Sequence, residues 1–214
     1  MRIMLANNTG PLVRELASQF PDKIGHLYSP GAQRAPVAQL ALDNGAYAMG
    51  EKWEPAPWLQ LLDWTKANRI TPSWVLVPDV VGSREWTLER WRLYWHVAAR
   101  YGWPLAFAVQ DGMMPEDVPA RAEVVFVGGT TKWKWDTMAM WCSAFPRVHV
   151  GRVNSYRKLW RCDDAGAESC DGTGWLRGRQ YQVRGLRAYL EESTGLRIRH
   201  RQLPLIASCD NASV

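Results

Sequence analysis

Eight short apolar segments, each followed by a polar or glycine-containing break, constrain the fold of this chain more than any other sequence feature. We predict strands over all eight, at residues 2–6, 24–28, 39–42, 74–77, 105–109, 124–127, 148–150 and 167–170. Apolar segments of this length, bounded by turn signals, are typical of strands that are buried on both faces.

Apolar side chains at helical spacing recur between most of these segments. We predict helices at residues 11–19, 57–67, 84–100, 136–144, 155–161 and 180–193, and a loop at residues 29–38. Eight strands that alternate with helices predict a (β/α)8 TIM barrel, an α/β fold that is compact at this length of 214 residues. An open doubly wound sheet is the alternative fold.

Length and composition predict a single domain over residues 1–205, with a loosely held tail at residues 206–214. The chain starts without a signal-peptide-like apolar run and has no membrane-length segment, so we expect a soluble, cytoplasmic protein without a membrane partner. The spacing of Cys142, Cys162, Cys170 and Cys209 fits neither a paired zinc motif nor a disulfide framework. We therefore predict free thiols and no metal.

The basic residues are concentrated in the last third of the chain. Residues 152–201 contain ten arginines and one lysine against six acidic residues, which accounts for the whole net charge of +5. Arginine grips phosphate oxygens in a bidentate fork, so this segment indicates a nucleic-acid partner, although a solvated basic helix face is the alternative. The predicted nucleic-acid contacts are Lys132, Trp133, Lys134, Arg152, Arg157, Lys158, Arg177 and Arg179.

Polar or glycine residues follow six of the apolar segments directly. They are Asp43, Asp79, Gln110, Gly128 with Gly129, Gly151 and Asp171. In a barrel, the carboxyl ends of all parallel strands lie on one face, where barrel enzymes keep their active sites. The spacing therefore predicts one pocket that contains three carboxylates, an amide and several backbone N–H groups. Taken singly, each of these residues also fits an ordinary turn or helix cap.

The same motifs, taken in order, resemble the tRNA-guanine transglycosylase superfamily. They read Leu-Asp-Asn-Gly-Ala-Tyr, Val-Pro-Asp, Phe-Ala-Val-Gln-Asp-Gly, Val-Gly-Gly, Val-Gly-Arg and Gly-Ala-Glu-Ser-Cys-Asp, and they span residues 40–175. The short chain, rich in arginine and tryptophan, most resembles the phage-type members, which put 7-deazaguanines into DNA. The resemblance implies a barrel that exchanges guanine in DNA for a free 7-deazaguanine, such as 7-cyano-7-deazaguanine. Such an exchange needs no cofactor, and we expect a monomer.

The resemblance also implies a role for each motif residue. Asp171 matches the nucleophile that attacks C1′ of the sugar and expels guanine, and Asp43 matches the carboxylate that supports acid/base chemistry beside it. Asp79 matches the carboxylate that binds the guanine edge. Gln110 and the Gly128-Gly129 backbone match the groups that read the carbonyl of the base. Gly151 matches a glycine that leaves room for the base. Independently of the resemblance, Tyr47 comes shortly after Asp43 in the chain, so we expect its ring to stack on the base.

The chemistry agrees with these roles. Base exchange at one anomeric carbon with retention needs two displacements, and a carboxylate suits the first of them. A second carboxylic acid can carry the proton if neighbouring negative charge raises its pKa. A base inside a duplex must first be flipped out, and aromatic stacking offsets part of that cost.

The chain departs from the family at three places. The family's zinc motif of three cysteines and a histidine is absent, so the zinc subdomain is not expected and tRNA is the less favoured substrate. Thr-Thr-Lys-Trp-Lys-Trp follows Gly129, and Asn44 stands where serine is usual. The alternatives are a tRNA enzyme of the same chemistry, a non-catalytic nucleic-acid-binding barrel, and a nucleoside or glycoside hydrolase.

Overall fold

The computed structural model describes residues 1–32, 34–177 and 180–199. It contains eight strands in chain order: β1 (Arg2–Ala6), β2 (Ile24–Tyr28), β3 (Gln39–Leu42), β4 (Val75–Leu76), β5 (Leu105–Val109), β6 (Val124–Val127), β7 (Val148–Val150) and β8 (Ser169–Asp171). All neighbouring strands pair in parallel. Ile3 of β1 lies opposite Ile24 of β2 on one side and opposite Cys170 of β8 on the other, which closes the sheet into a barrel. The predicted (β/α)8 barrel is confirmed, and the open sheet is excluded.

The described residues contain seven α-helices, of which six lie in connections between strands and the last, α7, follows β8. They are α1 (Pro11–Gln19), α2 (Ala46–Met49), α3 (Pro55–Ala67), α4 (Arg84–Ala99), α5 (Thr131–Ala144), α6 (Tyr156–Asp164) and α7 (Gln180–Ser193). Three short 3-10 turns lie at Gly50–Lys52, Pro115–Asp117 and Gly174–Leu176. Residues 29–32 and 34–38 form the predicted loop. The predicted end of the barrel at residue 205 and the tail at 206–214 lie outside the described residues.

Alternation along the strands divides the core into two layers. Ile3 and Leu5 of β1 face outwards and pack under the helices, while Met4 between them faces the barrel interior. Leu76, Ala106 and other small or branched side chains fill that interior. The larger rings of Trp74 and Phe126 pack beside them, so that side chains fill the interior as is usual for this fold.

Three aromatic rings pack against one another inside the barrel, beneath the carboxyl ends of the strands. The Phe126 and His149 rings lie 4.8 Å apart and 29° from parallel, and Trp74 meets both edge-on, 4.9 Å from His149 and 6.1 Å from Phe126. His149 and Trp74 are buried. These rings form the floor on which the rim of the barrel is built.

The start of α5 differs from the prediction. The helix was predicted over residues 136–144, and it begins at Thr131, so Lys132 to Trp135 form its first turns. Lys134 and Trp135 consequently face the core and are buried. The helical pattern is hard to recognise in the sequence where lysine and tryptophan alternate. A lysine counts as a polar residue there, although its long apolar stem can pack in the core.

Further features concern the cysteines and the helices. Cys142, Cys162 and Cys170 are free thiols, while Cys209 lies outside the described residues. No helix in the described part of the chain has the length and apolar character needed to span a membrane.

Candidate active site

The carboxyl ends of β3, β4 and β5 place three polar side chains in one hydrogen-bonded network. Asn44 donates through Nδ2 to Asp79 Oδ1 at 2.7 Å, and Gln110 donates through Nε2 to Asp79 Oδ2 at 2.6 Å. Asn44, Asp79 and Gln110 are all buried. Both oxygens of the Asp79 carboxylate are thus held by amide groups, which fixes its plane at the rim.

Gln110 connects this network to the glycines after β6. Its Oε1 accepts a hydrogen bond from Gly129 N and another from Gly82 N, each at 2.9 Å. The groups predicted to read a base are therefore brought together, but in the free protein they bind one another.

Asp43 lies at the end of β3 and faces the same pocket. Its Oδ2 accepts a hydrogen bond from Ser29 Oγ at 2.9 Å, and its Oδ1 accepts one from Asn44 N at 2.9 Å. Burial raises the pKa of Asp43, and the negative charge of Asp171 raises it further against the lowering effect of Ser29. This is the direction that a proton-carrying carboxyl requires.

Burial also raises the pKa of Asp79 to about 6, with a smaller contribution from the charge of Asp43 and opposing contributions from Asn44 and Arg90. Arg90 Nη1 donates to the backbone oxygen of Asp79 at 2.5 Å. In its ionised form, the carboxyl of Asp79 is one of several hydrogen-bond acceptors in the pocket, beside Asp43 and the Gln110 side-chain oxygen.

Asp171 ends β8 and is held from below by a buried histidine. His149 Nε2 lies 3.1 Å from Asp171 Oδ1, and His149 Nδ1 lies 2.9 Å from Ser169 Oγ. Arg152 N donates to the same Asp171 oxygen at 3.2 Å. Ser169, His149 and Asp171 therefore form a chain of hydrogen bonds that orients the carboxylate at the rim.

A pocket of about 310 Å³, its open mouth included, lies between these groups. The residues that line it are Asp43, Asn44, Tyr47, Leu76, Asp79, Val81, Gln110, Phe126, Gly128, Gly129 and Arg152. Asp171 is not in this lining; it lies beside the pocket and is linked to it through the backbone of Arg152.

At two of the predicted glycines, a neighbouring side chain lies too close to leave room for a Cβ. A Cβ on Gly151 would lie 2.9 Å from Cε1 of Phe126, whose ring lines the pocket. A Cβ on Gly128 would lie 3.1 Å from Gln110 Nε2. Both positions admit the neighbouring side chains that shape the pocket only because they lack a side chain of their own.

Gly129 combines a positive φ with a close side-chain contact, and we expect its replacement to be costly. Its φ is +66°, and a Cβ there would lie 2.5 Å from Cε3 of Trp133. Gly112 has a φ of +78° but open space around the position of a Cβ. Gly112→Ala should therefore cost about 1 kcal/mol from backbone strain alone. Gly129→Ala should cost about 1–3 kcal/mol more because of the clash.

Urea denaturation of the two glycine variants measures this difference directly. Equal losses of unfolding free energy in Gly129→Ala and Gly112→Ala would contradict the close packing of Trp133 on the glycine backbone.

The predicted nucleic-acid contacts fall into different environments. Lys132 is exposed and pairs with Asp136 at 2.5 Å, Arg157 and Arg177 are exposed, and Lys158 and Trp133 are half-buried. These residues lie on the β6 to β8 side of the rim, and their contact with nucleic acid stays a prediction. Arg179 lies outside the described residues.

The prediction for Lys134 requires correction. Its side chain is buried, and Nζ donates to the carbonyl oxygen of Gly151. Burial lowers the pKa of Lys134 to about 8, and the positive charge of Arg152 lowers it as well. In this position the ammonium supports the backbone behind the pocket, so it is not a surface group that phosphate can reach.

Two site residues escaped the sequence reasoning. Asn44 was noted only as a departure from a motif, yet it connects Asp79 to the backbone oxygen of Val77 at 3.0 Å. His149 lies in the apolar segment 148–150, and the sequence offered for it only a metal site with the cysteines, which their spacing does not favour. The available signal was alternation, because His149, Ser169 and Asp171 all occupy inward positions of adjacent strands.

No protein-family model matches this chain, and no curated protein matches it. Among solved structures it is similar to 3-hexulose-6-phosphate synthase from Salmonella typhimurium, with a TM-score of 0.56 and 13% identity over 92% of this chain and 100% of that one. Phosphoribosyl anthranilate isomerase from Thermus thermophilus gives a TM-score of 0.51 and 16% identity over 92% and 100%. A chain of the tryptophan synthase complex from Pyrococcus furiosus gives 0.54 and 12% over 91% and 98%.

At such identities these likenesses concern the fold and carry no information on the reaction. None of the three names denotes a transglycosylase, so the family resemblance seen in the sequence stays a prediction. What the comparisons and the strand pairing establish together is that this chain is a (β/α)8 TIM barrel.

Proposed function

We propose that this protein is a glycosyltransferase that exchanges guanine in DNA for a free 7-deazaguanine through a covalent bond to Asp171. The observation that carries the proposal is the convergence of Asp43, Asp79, Gln110 and Gly129 on one pocket, with Asp171 held at its edge. This set combines a nucleophile, a proton carrier and a base-reading network.

The pocket suits the donor and acceptor pattern of guanine. The Asp79 carboxylate can accept from the N1–H and the amino group of the base, as a charged acceptor forms the strongest hydrogen bonds. Gly129 N–H and the Gln110 amide can donate to the base carbonyl once they exchange their present partners. Tyr47, whose side chain is 65% exposed, offers a ring on which the base can stack.

The first displacement forms the covalent intermediate. Both hydrogen bonds to Asp171 are accepted by Oδ1, so we assign the attack on C1′ to Oδ2. The bond between C1′ and N9 breaks, and its electron pair leaves with guanine. Asp43 in its acid form supplies the proton that the departing N9 needs, and His149 holds the attacking carboxylate in place.

The second displacement reverses these steps with the new base. Asp43, now a carboxylate, takes the N9 proton of the incoming 7-deazaguanine, and N9 attacks C1′ from the side that guanine left. The bond between C1′ and Asp171 Oδ2 breaks, and both carboxyl groups return to their starting states. Two inversions give retention, and no oxidant, reductant or nucleotide is consumed.

Labelled base exchange tests the proposal. The purified protein is incubated with radiolabelled guanine and, in separate reactions, duplex DNA, single-stranded DNA or tRNA. DNA carrying labelled guanine is also incubated with 7-cyano-7-deazaguanine, and released label is counted. We expect label to enter or leave DNA. Label moving only in tRNA would favour the RNA alternative, and none in any reaction would contradict the proposal.

A further inference from the structure

The Arg152 side chain crosses the mouth of the pocket in the free protein. It starts at the end of β7, its Nη2 donates to the carbonyl oxygen of Gly129 after β6, and its guanidinium carbon lies 4.8 Å from the centre of the Tyr47 ring after β3. The guanidinium is therefore held between the segment that follows β6 and the segment that follows β3, both at the carboxyl end of the barrel. It lines the pocket that Asp79 and Gln110 also line, and it covers the ring of Tyr47 on which a flat ligand would stack.

The backbone of Arg152 is adapted to this position. Its φ of +60° lies in the left-handed region, which a residue with a side chain seldom adopts. This conformation aims Arg152 N at Asp171 Oδ1 while the side chain turns back over the pocket. One residue thus touches the nucleophile through its backbone and the base site through its side chain.

The guanidinium is also a chemical likeness of the proposed ligand. Guanine carries a guanidine unit in its own ring, formed by N1, C2 and the exocyclic amino group, and this unit is planar and rich in N–H donors. Arg152 places a planar guanidinium on the face of Tyr47, the ring assigned to the base, while its Nη2 donates to the Gly129 carbonyl and not to Asp79.

We propose that Arg152 fills the guanine subsite of the free protein and leaves it when a nucleic-acid phosphate draws the guanidinium outwards. This inference rests on the proposed function and adds an order of binding to it. Free guanine meets an occupied subsite until the polynucleotide has bound, so the base in the chain enters before any free base. The charge that leaves the pocket then becomes a phosphate contact.

Substitution of Arg152 separates this role from a structural one. Arg152→Ala should bind free guanine about tenfold or more tightly than the parent, because no internal donor competes for the subsite, and should bind DNA more weakly. Arg152→Lys keeps the charge but lacks the plane, so it should gain guanine affinity to a smaller extent. Arg184→Ala removes an exposed arginine of the same basic segment, and its guanine affinity should equal that of the parent.

Equilibrium dialysis with radiolabelled guanine measures these affinities on the full chain, with and without a duplex that contains one abasic site. The abasic duplex supplies phosphates but no base, so it should tighten guanine binding to the parent and leave Arg152→Ala unchanged. Circular dichroism confirms that each variant is folded. If Arg152→Ala does not fold, the same comparison is made with Arg152→Lys.

The outcomes distinguish this inference from the proposed function. If the parent exchanges guanine in DNA but neither Arg152 variant gains guanine affinity, the subsite role is overturned and the proposed function stands. A loss of affinity for both guanine and DNA in Arg152→Ala also overturns it, since that is the result of a merely structural role. If no variant binds guanine and the parent exchanges none, both fail.

Discussion

Replacement of Asp171 by asparagine is expected to lower guanine exchange by about 10³-fold or more, because the side-chain amide cannot act as the leaving carboxylate of a glycosyl intermediate. Asparagine has nearly the same volume, and its oxygen can still accept from His149 Nε2 and Arg152 N. The fold and the affinity for free guanine should therefore change little. Initial rates of label exchange and the guanine dissociation constant, measured side by side, check both parts.

Asp22→Asn is the matched control for this substitution. Asp22 is exposed and precedes β2, so it lies at the opposite end of the barrel from the pocket. Its exchange rate should equal that of the parent. Undiminished exchange by Asp171→Asn would remove Asp171 from the role of nucleophile.

The second large effect is expected at Asp79. Asp79→Asn should weaken guanine binding by about 100-fold, because a charged acceptor that faces two donors of the base is replaced by an amide that offers one acceptor. The variant amide must also place a donor against the NH2 group of Asn44 or Gln110. Dialysis with labelled guanine gives the loss in affinity, and thermal unfolding shows whether the barrel is retained.

The pH dependence of guanine affinity distinguishes Asp79 from the other residues of the pocket. Burial raises its pKa to about 6, so the accepting carboxylate is lost as pH falls through about 6. In the parent, guanine affinity should therefore fall about tenfold per pH unit below that value. The same slope in Asp79→Asn would show that another group titrates.

The stability of the fold is expected to depend on pH in the opposite direction to the affinity for guanine, because proton binding by Asp79 is linked to folding. The pKa of Asp79 is higher in the folded chain than the ordinary value of 3.8, so the folded chain binds this proton more tightly than the unfolded chain. The contribution of Asp79 to stability is therefore greatest below about pH 4 and is lost as pH rises through about 6. A carboxyl that destabilises the fold at neutral pH is typical of a functional site.

The barrel could be predicted because its strands are buried on both faces. Segments such as 2–6 and 105–109 are wholly apolar or nearly so, and each ends at a glycine, a proline or a polar residue. Their bounds match β1 and β5 in the structure. The start of α5 could not be predicted, since Lys134 is a charged residue whose buried ammonium donates to the carbonyl oxygen of Gly151, directly after β7.

The rim of the site could also be predicted, because a strand end fixes where the next side chain lies. Asp43, Asp79 and Gln110 follow β3, β4 and β5 and meet at one pocket. The hydrogen bonds among them could not be read from the sequence. They depend on the stagger of neighbouring strands, which brings Gln110 close enough to bridge Asp79 and Gly129.

The position of the Arg152 side chain across the pocket could not be predicted from the sequence, for a different reason. In the sequence it is one of ten arginines in a basic segment, and its predicted role was a phosphate contact. In the structure this residue has a positive φ, and its guanidinium lies against the ring of Tyr47. Backbone conformations of this kind are rarely encoded by a residue other than glycine or asparagine.

Mass spectrometry of a trapped reaction tests the central claim most directly. The protein is mixed with guanine-containing DNA in the absence of free base, denatured at once and digested with a protease and a nuclease. The account predicts a peptide that contains Asp171 and carries the mass of one deoxyribosyl nucleotide lacking its base. An adduct on any other residue, or base exchange without an adduct under conditions that trap it, would contradict the account.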